Sequence, residues 1–151
     1  MKTLLSLSIV LSLLSVPVLA QPSDNPLSSY ALEWTSTIPW DNAISITDRH
    51  GATWEEKFSN AQNQLGPQGG VVYFPAGTYT FQEDIVLKHG VVIRGERPAG
   101  TAKDKTYSPP TVFEFPKYKP VCKGEGTATA TAFKTIRLHD PAQDSRCGIV
   151  N

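Results

Sequence analysis

The spacing of apolar residues predicts one amphipathic helix in the first half of the chain. From Thr53 to Leu65, apolar side chains recur three or four positions apart and form a single stripe, made of Trp54, Phe58, Ala61 and Leu65. Thr53 and Glu56 have the spacing of a capping box, in which side chains accept hydrogen bonds from free N–H groups at the helix start. Gly66 and Pro67 are typical residues at a helix end. We therefore expect a helix over residues 53–65 that packs its stripe against an apolar surface.

After this helix the pattern changes to short apolar runs separated by turns that contain glycine. Residues 71–74 and 91–93 are continuous apolar runs, as expected of strands covered on both faces. Residues 78–81 and 85–87 alternate between apolar and polar, and residues 111–115 and 133–138 are weaker strand candidates. Residues 97–120 otherwise contain five prolines and predict an extended loop.

One short string recurs at the start of these apolar runs and again near the end of the chain: Gly70-Val71-Val72, Gly90-Val91-Val92 and Gly148-Ile149-Val150. A period near twenty residues, built from short strands and turns, is typical of solenoids, in which stacked coils bury one continuous core. Chance recurrence of so common a string is the alternative that the repeat by itself leaves open.

The first twenty residues have the pattern of a secretory signal peptide. Lys2 precedes an apolar stretch from Leu4 to Leu19, and small residues precede an expected cleavage between Ala20 and Gln21. A membrane anchor is the alternative, but the stretch is short and interrupted by Pro17 and serines. We expect a secreted protein, extracellular or periplasmic, without stable membrane insertion after cleavage. Residues 21–47 would form a leader segment, loosely held over residues 21–37, and residues 48–151 the helical cap and first coils of the folded domain.

Composition and charge narrow the possible partners. The chain has 14 basic and 14 acidic residues, and this balance gives no electrostatic reason to expect nucleic acid as a partner. In an exported protein, Cys122 and Cys147 are a disulfide candidate, with two buried free thiols as the alternative. The spacing of cysteines and histidines does not indicate a metal site.

The strand and turn that follow the helix resemble the opening of pectate-lyase-like proteins, a group that includes rhamnogalacturonases, polygalacturonase-like hydrolases, epimerases and phage tailspikes. The resemblance covers about Asp48 to Gly95 and rests mainly on Phe74-Pro75-Ala76-Gly77-Thr78-Tyr79. It implies a mainly β fold, the start of a right-handed parallel β-helix capped by an N-terminal α-helix. Family members often place two acidic residues just before that helix, whereas here Glu55-Glu56 follow its first residues, so the subfamily stays open.

The resemblance implies that the chain is part of a longer carbohydrate-active parent protein. That parent would cleave a pectin-like acidic polysaccharide, by hydrolysis or by elimination. The alternatives are a non-enzymatic β-helix, such as an adhesin or tailspike-like protein, and a small secreted carbohydrate-binding module. The family's catalytic groups lie on middle coils, so no catalytic residue is predicted here. No cofactor is expected, and the resemblance leaves calcium possible if the parent is a lyase. We expect a chain truncated at its C-terminus, whose open end takes missing coils or self-associates.

Four residues are candidates for contact with carbohydrate: Trp34, Trp40, Lys117 and Tyr118. The two tryptophans could stack on sugar rings, although packing is the commoner role of tryptophan. Lys117 and Tyr118, together with Arg94 and Arg97, could form a basic and aromatic edge for an acidic polysaccharide. The alternative for that edge is a solvated loop.

Overall fold

A computed structural model describes residues 22–30, 32–100, 103, 107–118, 136–138 and 146–151. Ala20, Gln21 and Cys122 lie outside these residues, and so do 133–135 of the weakly predicted strand. Within the described part of the chain, no helix has the length and apolar character needed to cross a membrane.

The described chain contains one α-helix and eight short strands. The helix, α1, spans Trp54–Leu65, and the strands are β1 (Ala43–Ser45), β2 (Gly70–Phe74), β3 (Gly77–Thr80), β4 (Ile85–Leu87), β5 (Val91–Gly95), β6 (Thr111–Glu114), β7 (Ile136–Leu138) and β8 (Gly148–Val150). Short 3₁₀ turns lie at Ser28–Tyr30, Glu33–Thr37 and Ile46–Asp48. The predicted mainly β character with one helix is confirmed.

All strand pairs are parallel and belong to three sheets. The first sheet has the order β1-β2-β5-β8, the second pairs β3 with β6, and the third pairs β4 with β7. The chain therefore visits the first, second and third sheets in turn, and then visits them again in the same order. Each return adds a strand beside the strand of the previous pass, which buries apolar rows along all three sheets.

The pairing of β2 with β5 differs by one residue from the alignment that the sequence repeat suggests. Val71 pairs with Val92, and Gly70 pairs with Val91. Because side chains alternate between faces, this offset places Val71 on the outer face of the sheet and Val91 on the inner face. Gly90, with φ of +73°, belongs to the turn, whereas Gly70 is the first residue of its strand.

The helix begins and ends as its sequence predicts. Thr53 Oγ1 accepts a hydrogen bond of 3.2 Å from Glu56 N, and Glu56 Oε2 accepts one of 2.7 Å from Ala52 N. Glu56 thus bonds to the residue before the cap, one position earlier than in the usual capping box. Phe58 and Leu65 are buried in the inner core, and Gly66 ends the helix with φ of +71°.

A buried glutamine, which the apolar pattern did not reveal, joins α1 to the third sheet. Gln62 is 3% exposed. Its amide donates to Val86 O at 2.9 Å, and its carbonyl accepts from Lys88 N at 2.9 Å. One side chain therefore satisfies two backbone groups of β4 and the residue that follows it, which fixes the helix across that sheet.

The inner core is centred on aromatic rings. Phe74 is fully buried, and its ring centroid lies 4.6 Å from that of Phe113 and 5.0 Å from that of Tyr79, both in edge-to-face orientation. The Tyr79 hydroxyl donates to Pro75 O at 2.9 Å, across the turn between β2 and β3. The second pass of the chain therefore packs directly on the first at this turn.

The leader packs over the outer face of the first sheet. Trp40 is 8% exposed, and its indole N–H donates to Thr35 O at 2.8 Å. Together with Ile38 it forms an outer apolar cluster with Val71 and Val92. The leader thus covers two rungs of the sheet with apolar side chains.

Candidate functional site

The most distinctive polar feature is an arginine on the outer face of the first sheet, beneath the leader. Arg94 occupies β5, and its register partner on β2 is Tyr73, so the two side chains lie on the same face. Asp24 of the leader and Glu96, just after β5, complete the group. We call Asp24, Tyr73, Arg94 and Glu96 the Arg94 cluster.

Arg94 is almost fully buried but retains its charge through contacts with the leader. It is 2% exposed, and its Nη2 lies 3.0 Å from Asp24 Oδ1, whose side chain is 60% exposed. Its Nη1 donates to Asp24 O at 2.6 Å and to Pro22 O at 3.3 Å. Its Nε is buried and has no hydrogen-bond partner among the described residues. A buried cation is costly unless it is fully paired, so this incomplete pairing is unusual.

Two side chains of the Arg94 cluster, Asp24 and Tyr73, have shifted pKa values. The hydrogen bond from Arg94 holds the pKa of Asp24 below its ordinary value, so Asp24 is ionised at neutral pH. Burial, and then the hydrogen bond to Glu96, raise the pKa of Tyr73 to about 12. The phenol of Tyr73 is therefore neutral and donates a hydrogen bond to the Glu96 carboxylate.

This arrangement has the chemistry of an anion-binding position. A guanidinium offers planar N–H donors that match a carboxylate, and a neutral phenol beside it can hydrogen-bond to hydroxyl groups. The cluster combines the guanidinium of Arg94 with the carboxyl groups of Asp24 and Glu96, and the phenol of Tyr73 donates to Glu96.

The four predicted carbohydrate contacts do not meet in one place. Trp34 and Trp40 lie in the outer apolar cluster over the first sheet, where both take part in packing. Trp40 is too buried to present a ring face to a ligand. Lys117 and Tyr118 follow β6 in the second sheet, where Lys117 Nζ lies 2.9 Å from Glu83 Oε1 and Tyr118 is 49% exposed.

Arg94 does not join Lys117 in a common basic edge. Arg94 bonds to the leader over the first sheet, whereas Lys117 bonds to Glu83 in the turn between the second and third sheets. The sequence grouped these cations by their distance along the chain, but the three-sheet topology sends them to different faces.

The acidic residues near the turns bond across successive passes of the chain. Besides the Lys117–Glu83 pair, Arg137 Nε lies 2.6 Å from Asp84 Oδ2, and Thr80 Oγ1 donates to Glu114 Oε2 at 3.0 Å. In the described ranges no three potential metal-ligating side chains come together. These carboxylates link neighbouring rungs at the surface.

A surface groove lies between α1 and β4. It is an open groove of about 420 Å³, whose acidic lining includes Glu55 and Asp84. Burial tends to raise the pKa of Glu55, but hydrogen bonds from backbone N–H groups, including those of Gln82 and Glu83, outweigh it and lower the pKa. Glu55 is therefore an ionised acceptor that ties the helix to the turn before β4.

Cys147 is half-buried, and burial raises the pKa of its thiol. It forms no disulfide with any residue that the structure describes. Because Cys122 lies outside those residues, the pairing of the two cysteines stays a prediction.

Sequence reasoning grouped Arg94 with the wrong partners because Asp24 lies 70 positions away in the chain. One signal was present: Arg94 ends the otherwise apolar run Val91-Val92-Ile93. A charged residue in a strand covered on both faces requires a buried partner, and among the described residues the leader supplies it.

Comparison with known proteins agrees with this architecture. A family model described as rhamnogalacturonase A/epimerase, pectate lyase-like, matches residues 39–135, which begin within the leader and end at the residue before β7. No curated protein and no solved structure matches the chain. Since the match spans more than half of the sequence, the chain belongs to the rhamnogalacturonase A/epimerase, pectate lyase-like family.

Proposed function

We propose that this chain forms the helix-capped first coils of a right-handed parallel β-helix and that it is exported to act on a pectin-like acidic polysaccharide. The observation that carries the proposal is the repeated path of the chain through three parallel sheets in the same order. Family membership supports a carbohydrate as the ligand. The Arg94 cluster supports an acidic one, because a guanidinium binds carboxylates.

The shape of the fold suits a linear polymer. Successive parallel strands lie about 4.8 Å apart, so each sheet presents a ladder of side chains along the stacking direction. A polysaccharide that runs along such a ladder contacts equivalent positions on several rungs. On the first sheet such register partners are Ser45, Tyr73 and Arg94, which are buried in the free protein, where the leader packs over this face.

Binding of the full chain to immobilised polysaccharides tests the proposal. We expect retention on polygalacturonate and on rhamnogalacturonan, and no retention on a neutral glucan or arabinan at the same ionic strength. Equal retention on neutral and acidic polymers, or none on either, would contradict the proposal. Moderate salt should weaken the retention, because part of the interaction is electrostatic.

The products formed from an acidic polysaccharide distinguish cleavage by elimination from cleavage by hydrolysis. A lyase leaves an unsaturated uronate with a new ultraviolet absorbance, whereas a hydrolase produces reducing ends without it. Both assays should be run with and without calcium, which would matter for a lyase.

A non-enzymatic binding or structural protein is the second candidate, and one observation favours it. Among the acidic residues of the described turns, Glu83 and Asp84 are engaged in ion pairs with residues of the next pass. Such pairs hold rungs together and leave these carboxylates committed to structure. Retention on acidic polysaccharide with neither product, by the protein in its natural full length, would favour this candidate.

A further inference from the structure

The contact between Arg94 and the leader is incomplete in a specific way. Asp24 presents one carboxylate oxygen to Nη2, while Nη1 is satisfied by backbone carbonyls of Pro22 and Asp24. The Nε of Arg94 remains buried without a partner in the described structure. A guanidinium bonds most strongly to a carboxylate that takes two parallel N–H groups, and Asp24 does not provide that geometry.

We infer that Arg94 is a binding position for the carboxylate of a uronic acid, that Asp24 of the leader occupies this position in the free protein, and that the two compete for it. This inference rests on the proposed function, since it takes an acidic polysaccharide as the ligand. The leader then acts as an internal competitor that an incoming uronate displaces.

The leader is built so that only its first residues need to move. Asn25 is held by its side chain, whose Nδ2 donates to Thr35 Oγ1 at 3.2 Å and whose Oδ1 accepts from Leu27 N at 2.9 Å. Beyond it, Leu27 and Trp40 belong to the outer apolar cluster. Residues 22–24 are thus the part that covers Arg94 without an apolar anchor of their own, and Asp24 is largely exposed to solvent.

The neighbouring groups suit a sugar. Tyr73, beside Arg94 on the same face, has a neutral hydroxyl whose acceptor capacity is available while it donates to Glu96. A ligand carboxylate on the Nε and Nη2 groups of Arg94 would satisfy the buried Nε and leave Nη1 for a backbone or ligand oxygen. Binding of the ligand would thus replace the single contact between Asp24 Oδ1 and Arg94 Nη2 by two contacts of the ligand carboxylate, with Nε and Nη2.

Calorimetric titration of the full chain with trigalacturonate provides the binding test. Asp24→Asn weakens the competitor and keeps Arg94, so we expect the affinity for trigalacturonate to rise by about threefold to fivefold, in keeping with the modest strength of an ion pair whose carboxylate is 60% exposed. The matched control is Glu33→Gln, which removes a carboxylate from the same leader at an exposed position away from Arg94. Its affinity should equal that of the unmodified chain.

Hydrogen exchange supplies a readout that does not depend on any variant. Trigalacturonate should increase amide exchange at Ser23, Asp24 and Asn25, the residues of the 22–26 segment that carry an amide hydrogen, although most ligands reduce exchange where they bind. Arg94→Gln should lower the affinity at least tenfold. If that variant fails to fold, Asp24→Asn and the exchange measurement still decide the question.

The outcomes separate this inference from the function it rests on. Unchanged affinity in Asp24→Asn, together with unchanged or reduced exchange over residues 22–26, overturns the role of Arg94. If trigalacturonate still binds in that case, the proposed function stands and the site lies elsewhere. If neither the unmodified chain nor Asp24→Asn binds trigalacturonate or longer acidic polysaccharides, both proposals are wrong.

Discussion

Two glycines with similar positive φ values allow the stacking of successive passes to be tested by one methyl group. Gly66 and Gly69 have φ values of +71° and +74°, on either side of the turn between α1 and β2. A Cβ at Gly66 would meet nothing within 4 Å. A Cβ at Gly69 would lie 2.1 Å from the carbonyl oxygen of Gly90, which belongs to the corresponding turn of the next pass.

The expected magnitudes follow from this difference. Gly66 has ψ of −165°, in a backbone region essentially restricted to glycine, so an alanine there costs about 1–3 kcal/mol, partly offset by about 0.4–1 kcal/mol from its less flexible unfolded chain. Gly66→Ala should therefore lower the free energy of unfolding by about 1 kcal/mol. Gly69→Ala must also push Gly90 away, and Gly70 N then loses its 2.9 Å hydrogen bond to that carbonyl. Leaving these buried groups unpaired adds about 1–3 kcal/mol, for a total of about 3 kcal/mol.

Urea denaturation followed by circular dichroism measures both variants against the unmodified chain. The reasoning requires Gly69→Ala to lose about 2 kcal/mol more than Gly66→Ala, with similar m-values. Equal losses in the two variants would refute it, because they would mean that no neighbouring turn approaches Gly69.

Three further predictions concern the core, the helix attachment and the leader. Phe74→Ala should lower the free energy of unfolding by about 3–5 kcal/mol, measured in urea, because Phe74 is fully buried among aromatic rings. Gln62→Ala should lower the free energy of unfolding by about 2–4 kcal/mol in the same assay, because it leaves two backbone groups without their hydrogen-bond partner. Gln64→Ala, at an exposed position of the same helix, should lower it by under about 1 kcal/mol. The pair of Asp24 with Arg94 should contribute at most about 1 kcal/mol, since the Asp24 side chain is 60% exposed. Because the folded-state pKa of Asp24 is lowered, this contribution should be present above its ordinary value of 3.8 and vanish as the pH falls through the lowered pKa. The difference in unfolding free energy between the unmodified chain and Asp24→Asn, measured across acidic pH, checks this, and a difference that grows on acidification would contradict it.

The helix and the strands were predictable because their signals are local. The stripe through Phe58 and Leu65, the cap at Thr53 and the stop at Gly66 each depend on residues within one or two turns of the helix. The strands likewise follow from short apolar runs bounded by glycine. These features depend on backbone propensity and burial, which neighbouring residues largely determine.

The register of the first sheet was not predictable from the repeat. Matching strings suggested that Val71 and Val91 occupy equivalent positions, but the structure pairs Val71 with Val92. The difference arises because Gly90 lies in the turn before β5, whereas Gly70 is the first residue of β2. A string of three residues does not specify which glycine belongs to the turn.

The candidate site was the least predictable part, because it joins segments that are distant in sequence. Asp24 lies in a segment rich in serine and proline, where local rules predict loose structure. Only the packing of Trp40 and Ile38 on the first sheet brings that segment over Arg94. For Trp40, the structure agrees with the packing role weighed in the sequence analysis.

The central claim is that each pass of the chain lies beside the previous one in parallel register, and spin labels on the second sheet test it most directly. Thr78 of β3 and Val112 of β6 are register partners, 34 residues apart in sequence, and neither is buried. In a background without Cys122 and Cys147, labels at both positions should sit on strands about 4.8 Å apart and show strong dipolar broadening. A doubly labelled spectrum equal to the sum of the two singly labelled spectra would contradict the account.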